Sequence, residues 1–122
     1  MKNMTTIRNY RDLLVWQKAM VLVNKVYKVS AKYPDTEKYA LTSQLRRSGV
    51  SVPSNIAEGY GRNSTKDNIR LLNIAMGSLY ELQTQLEISL NQDYLKKEMF
   101  DNVYEDCREI EHMLSSLIRK LS

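Results

Sequence analysis

The chain has 122 residues, of which 43% are hydrophobic and 26% charged. This composition fits one soluble globular domain and is not that of a disordered protein. No apolar run approaches the roughly 18 residues that cross a bilayer, and residues 1–11 lack the apolar core of a signal peptide. The single cysteine, Cys107, cannot form an internal disulfide. We therefore expect a cytoplasmic protein with no membrane partner.

The net charge of +4 is unevenly distributed along the chain. Residues 1–70 contain 13 Lys and Arg against 5 Asp and Glu, a balance of +8. Residues 71–122 contain 5 against 9, a balance of −4. Either the basic half meets an anionic partner such as nucleic acid, or it packs near the acidic half of its own chain or of a neighbour.

The first predicted helix covers about residues 12–33 and follows a polar lead-in, residues 1–11. Asp12 is a residue type that caps helix N-termini. Apolar residues form two adjacent seams, so this helix contacts two neighbours in a bundle or also faces another subunit. The remaining face carries a basic stripe at seven-residue spacing. The stripe consists of Arg11, Lys18, Lys25 and Lys32. Its side chains are either solvated, or they contact nucleic acid or another subunit.

The second predicted helix covers about residues 37–58. Asp35 or Thr36 is expected to cap it, after a proline that ends the first helix. Its apolar residues begin at Tyr39 and recur until Pro53.

Pro53 falls inside this second helix. Its ring removes one backbone hydrogen bond and crowds the carbonyl of Gly49, which deforms readily. We predict one helix kinked at Pro53 rather than two helices. Gly59 and Gly61 then end the helix, and a Glu58–Arg62 ion pair is expected at the corner that follows.

The third predicted helix starts at a capping box in which Ser64 caps the helix and Asp67 reaches back. Gly77 lies inside it and costs roughly 1 kcal/mol relative to alanine, so we expect a neighbouring helix to approach its backbone closely. The fourth predicted helix, about residues 96–120, has an apolar stripe through Cys107 and a mostly acidic outer face.

Four helices with short connections predict an all-α fold. We expect an antiparallel up-down-up-down four-helix bundle, with its second helix kinked at Pro53. The bundle forms a single domain over residues 12–122.

The residues offer no active site. His112 is the only histidine, so the paired Glu-x-x-His motifs of a di-iron bundle cannot form within one chain. Cys107 lies on an apolar stripe, and five residues of helix turn it roughly 140° away from His112. We therefore expect a protein that is not an enzyme, with no catalytic residue, no cofactor and no metal.

The two adjacent arginines, Arg46 and Arg47, precede the predicted kink. With Arg62, Lys66 and Arg70 they form a local excess of positive charge. The planar guanidinium fork suits phosphate, but no helix-turn-helix spacing or aromatic strand face accompanies these residues, so sequence-specific binding is not supported. The alternatives are nucleic-acid phosphate, carboxylates of another subunit, or solvent.

The chain resembles a bacterial four-helix bundle family, the proteins encoded in intervening sequences of 23S ribosomal RNA genes. The resemblance lies in residues 12–19 (Asp-Leu-Leu-Val-Trp-Gln-Lys-Ala), 39–48 (Tyr-Ala-Leu-Thr-Ser-Gln-Leu-Arg-Arg-Ser) and 51–62 (Ser-Val-Pro-Ser-Asn-Ile-Ala-Glu-Gly-Tyr-Gly-Arg). Residues 77–87 match more weakly. Lys96 departs from the pattern, because relatives often have a helix-capping serine or aspartate there.

The resemblance implies a four-helix bundle related to the accessory variability protein of diversity-generating retroelements. That protein is a barrel-shaped homopentamer with basic surfaces, and it binds nucleic acid and a reverse transcriptase. A homopentamer, an RNA or DNA partner and a reverse transcriptase partner are therefore implied for this chain, whereas no catalytic residue is.

Two functions follow as hypotheses. The first is a non-enzymatic homo-oligomer that binds nucleic acid non-specifically through its basic faces. The second is a protein–protein interaction adaptor without a nucleic-acid role, whose basic face meets the acidic fourth helix of a neighbouring subunit or an acidic protein.

Overall fold

The computed structural model describes residues 6–122. Its four α-helices span Leu14–Ser30 (α1), Leu41–Tyr60 (α2), Thr65–Asn91 (α3) and Lys97–Leu121 (α4). Two short 3-10 turns, Tyr10–Asp12 and Asp35–Glu37, precede α1 and α2. No strand occurs among the described residues, and the predicted all-α four-helix bundle is confirmed.

Each helix packs against the next, and α1 also packs against α4, so the four helices surround one core. Within the described residues α2 and α4 do not contact each other and therefore lie diagonally across the bundle. All four helices contribute side chains that are almost fully buried, and each buried leucine stabilises the fold by about 1.5–3 kcal/mol. The core includes Leu22, Leu45, Ile56, Leu79, Leu82 and Leu114.

The start of α1 differs from the prediction, because Asp12 does not cap this helix. Leu13 occupies the cap position without a side-chain hydrogen bond. The Asp12 carboxylate instead accepts hydrogen bonds from the backbone N–H groups of Arg8 (2.8 Å) and Asn9 (3.3 Å). Asn9 caps the 3-10 turn through the N–H of Arg11 (2.8 Å). Asp12 therefore orders the chain before the helix. Residues 1–5 of the predicted lead-in lie outside the described residues.

The second helix begins at Leu41, later than predicted. Asp35–Glu37 form a separate 3-10 turn, so neither Asp35 nor Thr36 caps α2. Glu37 takes over part of this task, because its carboxylate accepts a hydrogen bond from the Leu41 N–H (3.2 Å) and another from the Tyr94 hydroxyl (2.9 Å).

The second helix then continues through Pro53 to Tyr60 as one element, as predicted. Pro53 itself is buried. The bend at Pro53 and the up-down-up-down order of the helices stay predictions.

The third helix starts at Ser64 as predicted, because the Ser64 hydroxyl accepts a hydrogen bond from the Asp67 N–H (3.2 Å). The Asp67 carboxylate, however, pairs with Arg70 (3.1 Å) and Arg62 (3.7 Å) rather than reaching back. The prediction for Gly77 is wrong. This residue is exposed, and a Cβ placed on it would meet no atom within 4 Å.

Candidate functional site

The lysine stripe of α1 turns towards the acidic face of α4. Lys18 lies 3.0 Å from the Glu109 carboxylate. Lys25 lies 2.7 Å from Asp106, and it also donates a hydrogen bond to a polar residue of α4. The basic and acidic halves thus meet within one chain, which is one of the alternatives that the charge distribution left open. Such exposed pairs contribute about 0–1 kcal/mol each, but they neutralise Lys18 and Lys25, two of the four cations of the stripe. Lys32 is exposed and makes no ion pair within residues 6–122.

The corner between α2 and α3 is also largely neutralised. Arg62 pairs with Glu58 as predicted, and with Asp67 at 3.7 Å. Arg70 pairs with Asp67 at 3.1 Å. Lys66 is exposed and has no ion pair in the described part of the chain. The arginines of this corner therefore hold the start of α3 and leave little unbalanced positive charge.

The Arg46 side chain contacts residues at the C-terminal end of α1. Its Nε donates a hydrogen bond to the Ser30 hydroxyl (2.9 Å), and Nη2 donates one to the Tyr27 carbonyl (3.3 Å). Its guanidinium carbon lies 4.6 Å from the centroid of the Tyr27 ring. The C-terminus of a helix carries the negative end of the helix dipole and attracts positive charge. Arg46 therefore joins the start of α2 to the end of α1.

Arg47 differs from its neighbour, because it is exposed and forms no ion pair among residues 6–122. It lines an open cavity of about 660 Å³ between α1 and α2, which we call the basic–aromatic cavity. The lining residues include three cations, two tyrosines and three hydroxyl side chains, and none of them is acidic. They are Tyr27, Lys38, Tyr39, Thr42, Ser43, Arg46, Arg47, Val50 and Ser51.

Tyr39 is the residue whose placement departs most from the sequence prediction. The apolar pattern placed it on the buried side of the second helix, but it precedes α2 and is 88% exposed. The Lys38 ammonium lies 5.5 Å from its ring centroid, within cation–π range. A lysine–tyrosine pair next to a helix start is a sequence signal for this site. The prediction missed it because Tyr39 counted as one of the apolar residues of the second helix.

The basic–aromatic cavity can hold an anion beside a planar ring. Lys38, Arg46 and Arg47 supply positive charge, and the hydroxyl groups of Thr42 and Ser43 add hydrogen-bond donors to the same lining. Of the residues predicted as candidate contacts, the cavity brings together only Arg46 and Arg47. The others lie at the α1–α4 contact, at the α2–α3 corner or on isolated exposed positions.

A second cavity, of about 560 Å³, runs between α1 and α2 towards the opposite ends of these helices and is mainly apolar. Its lining includes Trp16, Met20, Val23 and Pro53. Trp16, Met20 and Val23 belong to one of the two apolar seams predicted for the first helix. We assign no chemistry to it.

The groups considered for catalysis do not form a reactive site. Cys107 is fully buried, and its pKa is raised to about 12, first by burial and then by the charges of Asp106 and Glu111. Its thiol is therefore protonated and inaccessible at neutral pH. Among residues 6–122 no three His, Cys, Asp or Glu side chains are grouped so that they could hold a metal ion. None of the described helices is both long and apolar enough to cross a membrane.

Comparison with known proteins assigns the chain to a family. Residues 11–116 match the family model of the 23S rRNA-intervening sequence protein. The fold is similar to a crystal structure from Bacteroides thetaiotaomicron, a protein with unknown function from the S23 ribosomal protein family. That similarity has a TM-score of 0.81 and 26% sequence identity, and it covers 86% of this chain and 98% of the other. Among curated proteins none matches the chain.

Proposed function

We propose that this chain, which belongs to the 23S rRNA-intervening sequence protein family, is a cytoplasmic, non-enzymatic homo-oligomer that binds nucleic acid through the basic–aromatic cavity. The observation that carries the proposal is the lining of this cavity. Two of its cations, Lys38 and Arg47, form no ion pair within residues 6–122, and none of the residues that line the cavity is acidic.

The ion pairs show which cations are already neutralised and which are available to a phosphate. Lys18, Lys25, Arg62 and Arg70 each have a carboxylate partner in their own chain. A phosphate that approached these residues would have to displace that partner. At the cavity a phosphate replaces only water, so the unbalanced charge there supports binding at this place. Because the protein contacts the phosphate backbone of the nucleic acid, we expect little sequence preference.

The positions of the two charged faces support a ring only in the form that the second candidate requires, with the acidic face of a neighbour occupying the cavity. The basic–aromatic cavity involves α2, whereas the acidic side chains Glu105 and Glu109 line a cavity on α4. Because α2 and α4 lie diagonally across the bundle, contact between the two faces of adjacent copies would be head-to-tail. Head-to-tail contacts generate closed rings when the rotation closes. A homopentamer and a reverse transcriptase partner rest on the resemblance to the accessory variability protein alone.

The same diagonal arrangement favours the second candidate, a protein–protein interaction adaptor. If the acidic α4 of a neighbour fills the basic–aromatic cavity, then Lys38 and Arg47 hold the oligomer together and are not accessible to nucleic acid. The two candidates therefore differ in what these two side chains contact.

The affinity for oligonucleotides and the mass of the oligomer, measured together, test the proposal. We expect the wild-type protein to bind RNA and DNA oligonucleotides in fluorescence anisotropy, more weakly at 200 mM than at 50 mM salt. The Lys38→Ala/Arg47→Ala double variant should bind more weakly than the wild type, most clearly at 50 mM salt, and keep the wild-type mass in light scattering. Lys97→Ala is the matched control, because Lys97 is an exposed cation on α4 whose partner is Asp101.

Two results would contradict this account. Absence of binding by the wild-type protein at low salt would exclude the nucleic-acid function. Dissociation of the double variant into monomers would show that the cavity is a subunit interface and would support the adaptor.

A further inference from the structure

We infer that the basic–aromatic cavity takes single-stranded nucleic acid, with an unpaired base stacked on Tyr39 and the adjacent phosphates on Lys38 and Arg47. This inference rests on the proposed function and adds the class of nucleic acid. It also adds Tyr39 as a binding residue, which neither the family match nor the charge pattern indicates.

The exposure of Tyr39 is the first observation. Most of the large side chains of this protein pack into the core, whereas the Tyr39 ring is 88% exposed. Tyr39 lines the cavity together with Lys38 and Arg47, so an aromatic face lies beside two cations that have no carboxylate partner within residues 6–122. Aromatic platforms beside cations are the means by which proteins hold single strands without sequence preference.

A second ring lies in the same cavity. Tyr27 is 43% exposed, and the guanidinium carbon of Arg46 lies 4.6 Å from its centroid. The hydrogen bonds of Arg46 to the Ser30 hydroxyl and the Tyr27 carbonyl fix this pair in place. The cavity thus contains one fixed ring and one exposed ring, and its volume of about 660 Å³ is within the range of small-molecule sites.

The geometry disfavours a duplex. In a double helix the base faces are stacked on each other and are not available to a tyrosine. Reading a duplex through its groove requires an element that projects into the groove. Here the site is a recess between α1 and α2, and α2 packs against both α1 and α3, so the site offers no projecting element to a groove. A single strand can turn its bases towards the cavity while its phosphates remain near the cations.

Fluorescence anisotropy with labelled oligonucleotides of about 12 nucleotides, within the site sizes known for single-strand binders, tests this inference. The ligands are oligo-uridine, oligo-deoxythymidine and a DNA duplex of the same length. We expect both single strands to bind the wild-type protein at least ~10-fold more tightly than the duplex. Comparison of the uridine and thymidine strands shows whether RNA or DNA is preferred.

The variants isolate the stacking contact. Tyr39→Ala should weaken single-strand binding about 10-fold and leave the weak duplex binding unchanged, because the variant loses one stacking contact with an unpaired base. Tyr39→Phe retains the ring and should bind as the wild type does. Tyr80→Ala is the control, since Tyr80 is an exposed tyrosine on α3 outside the cavity. Because Tyr39 is so exposed, its replacement should not alter the helical circular dichroism spectrum.

The possible failures are distinguishable. Equal affinity for duplex and single strands, with no effect of Tyr39→Ala, would overturn the inference and leave the proposed function intact. Binding of none of the three ligands by the wild-type protein would overturn both.

Discussion

The guanidinium carbon of Arg46 lies 4.6 Å from the centroid of the Tyr27 ring, and the same guanidinium donates a hydrogen bond to the Tyr27 carbonyl. The adjacent residue Arg47 is exposed and makes no ion pair within residues 6–122. Arg46 and Arg47, although adjacent in the sequence, therefore have different structural roles. Arg46 joins two helices, and Arg47 is available for a ligand.

Stability measurements should separate these two arginines. Arg46→Ala loses its hydrogen bonds to Ser30 and Tyr27 together with the ring contact. We therefore expect the free energy of unfolding to fall by about 1–3 kcal/mol. Arg47→Ala should change it by less than about 0.5 kcal/mol, as is usual at exposed positions. Urea denaturation followed by circular dichroism measures both. Equal effects of the two substitutions would contradict the assigned roles.

Two glycines should respond oppositely to alanine. At Gly77 the new Cβ meets open space, so Gly77→Ala should raise the free energy of unfolding by about 1 kcal/mol through helix propensity. At Gly59 the new Cβ would lie 2.7 Å from the Asn68 side-chain oxygen and 3.3 Å from its backbone carbonyl, so Gly59→Ala should destabilise the protein. Thermal unfolding of the two variants tests this pair. A loss of stability in Gly77→Ala would show that another chain packs on this face of α3.

The turn between α3 and α4 provides a third test. Asp93 has a φ of 63°, in the left-handed region that favours glycine. The N–H groups of Asp93 and Tyr94 bond back to the carbonyls of Leu90 and Ser89, each at 3.0 Å, which is the Schellman arrangement. Asp93→Gly should therefore stabilise the protein by about 0.5–1 kcal/mol. Destabilisation in urea unfolding would mean that the Asp93 side chain makes an important contact.

Cys107 should be unreactive in the folded protein. Burial, with a smaller contribution from Asp106 and Glu111, raises its pKa from 9.0 to about 12. A thiol reagent at pH 8 should modify it only after denaturant is added. Rapid labelling of the native protein would contradict the burial of this residue.

The same shift makes stability depend on pH. Because the folded pKa lies above that of the unfolded chain, the contribution of Cys107 is complete below about pH 9 and decreases as the pH rises towards 12, by about 1.4 kcal/mol per pH unit. Comparison of the wild type with Cys107→Ala isolates this term. The difference in unfolding free energy between the two proteins should be constant from pH 6 to 8 and should narrow at pH 10. A constant difference over the whole range would contradict the raised pKa.

The sequence predicted the helices well because their apolar spacing records which side of each helix faces the core. It also predicted Ser64 as a cap and the Glu58–Arg62 pair, both of which are formed by residues within one turn of each other. Prediction from the local sequence was wrong where one side chain had two possible hydrogen-bond partners. The carboxylate of Asp12 reached back along the chain rather than forward into the helix.

The candidate site was less predictable because it depends on contacts between distant residues. The hydrogen bond of Arg46 to the Tyr27 carbonyl joins positions 19 residues apart, and periodicity does not show which residues of two helices meet. The helix propensity of Gly77 gives the cost of a glycine inside a helix, but it does not show whether a neighbour is present. Tyr39 counted as apolar in the pattern, although the 3-10 turn before α2 leaves it in solvent.

The salt dependence of binding tests the central claim most directly, because it counts the phosphates that the protein contacts. The logarithm of the association constant for a single strand should fall linearly with the logarithm of salt concentration, with a slope of roughly −0.7 per phosphate. We predict that Lys38→Ala/Arg47→Ala reduces the size of this slope by about 1.4, whereas Lys97→Ala leaves it unchanged. An identical slope in all three proteins would show that nucleic acid does not contact the basic–aromatic cavity.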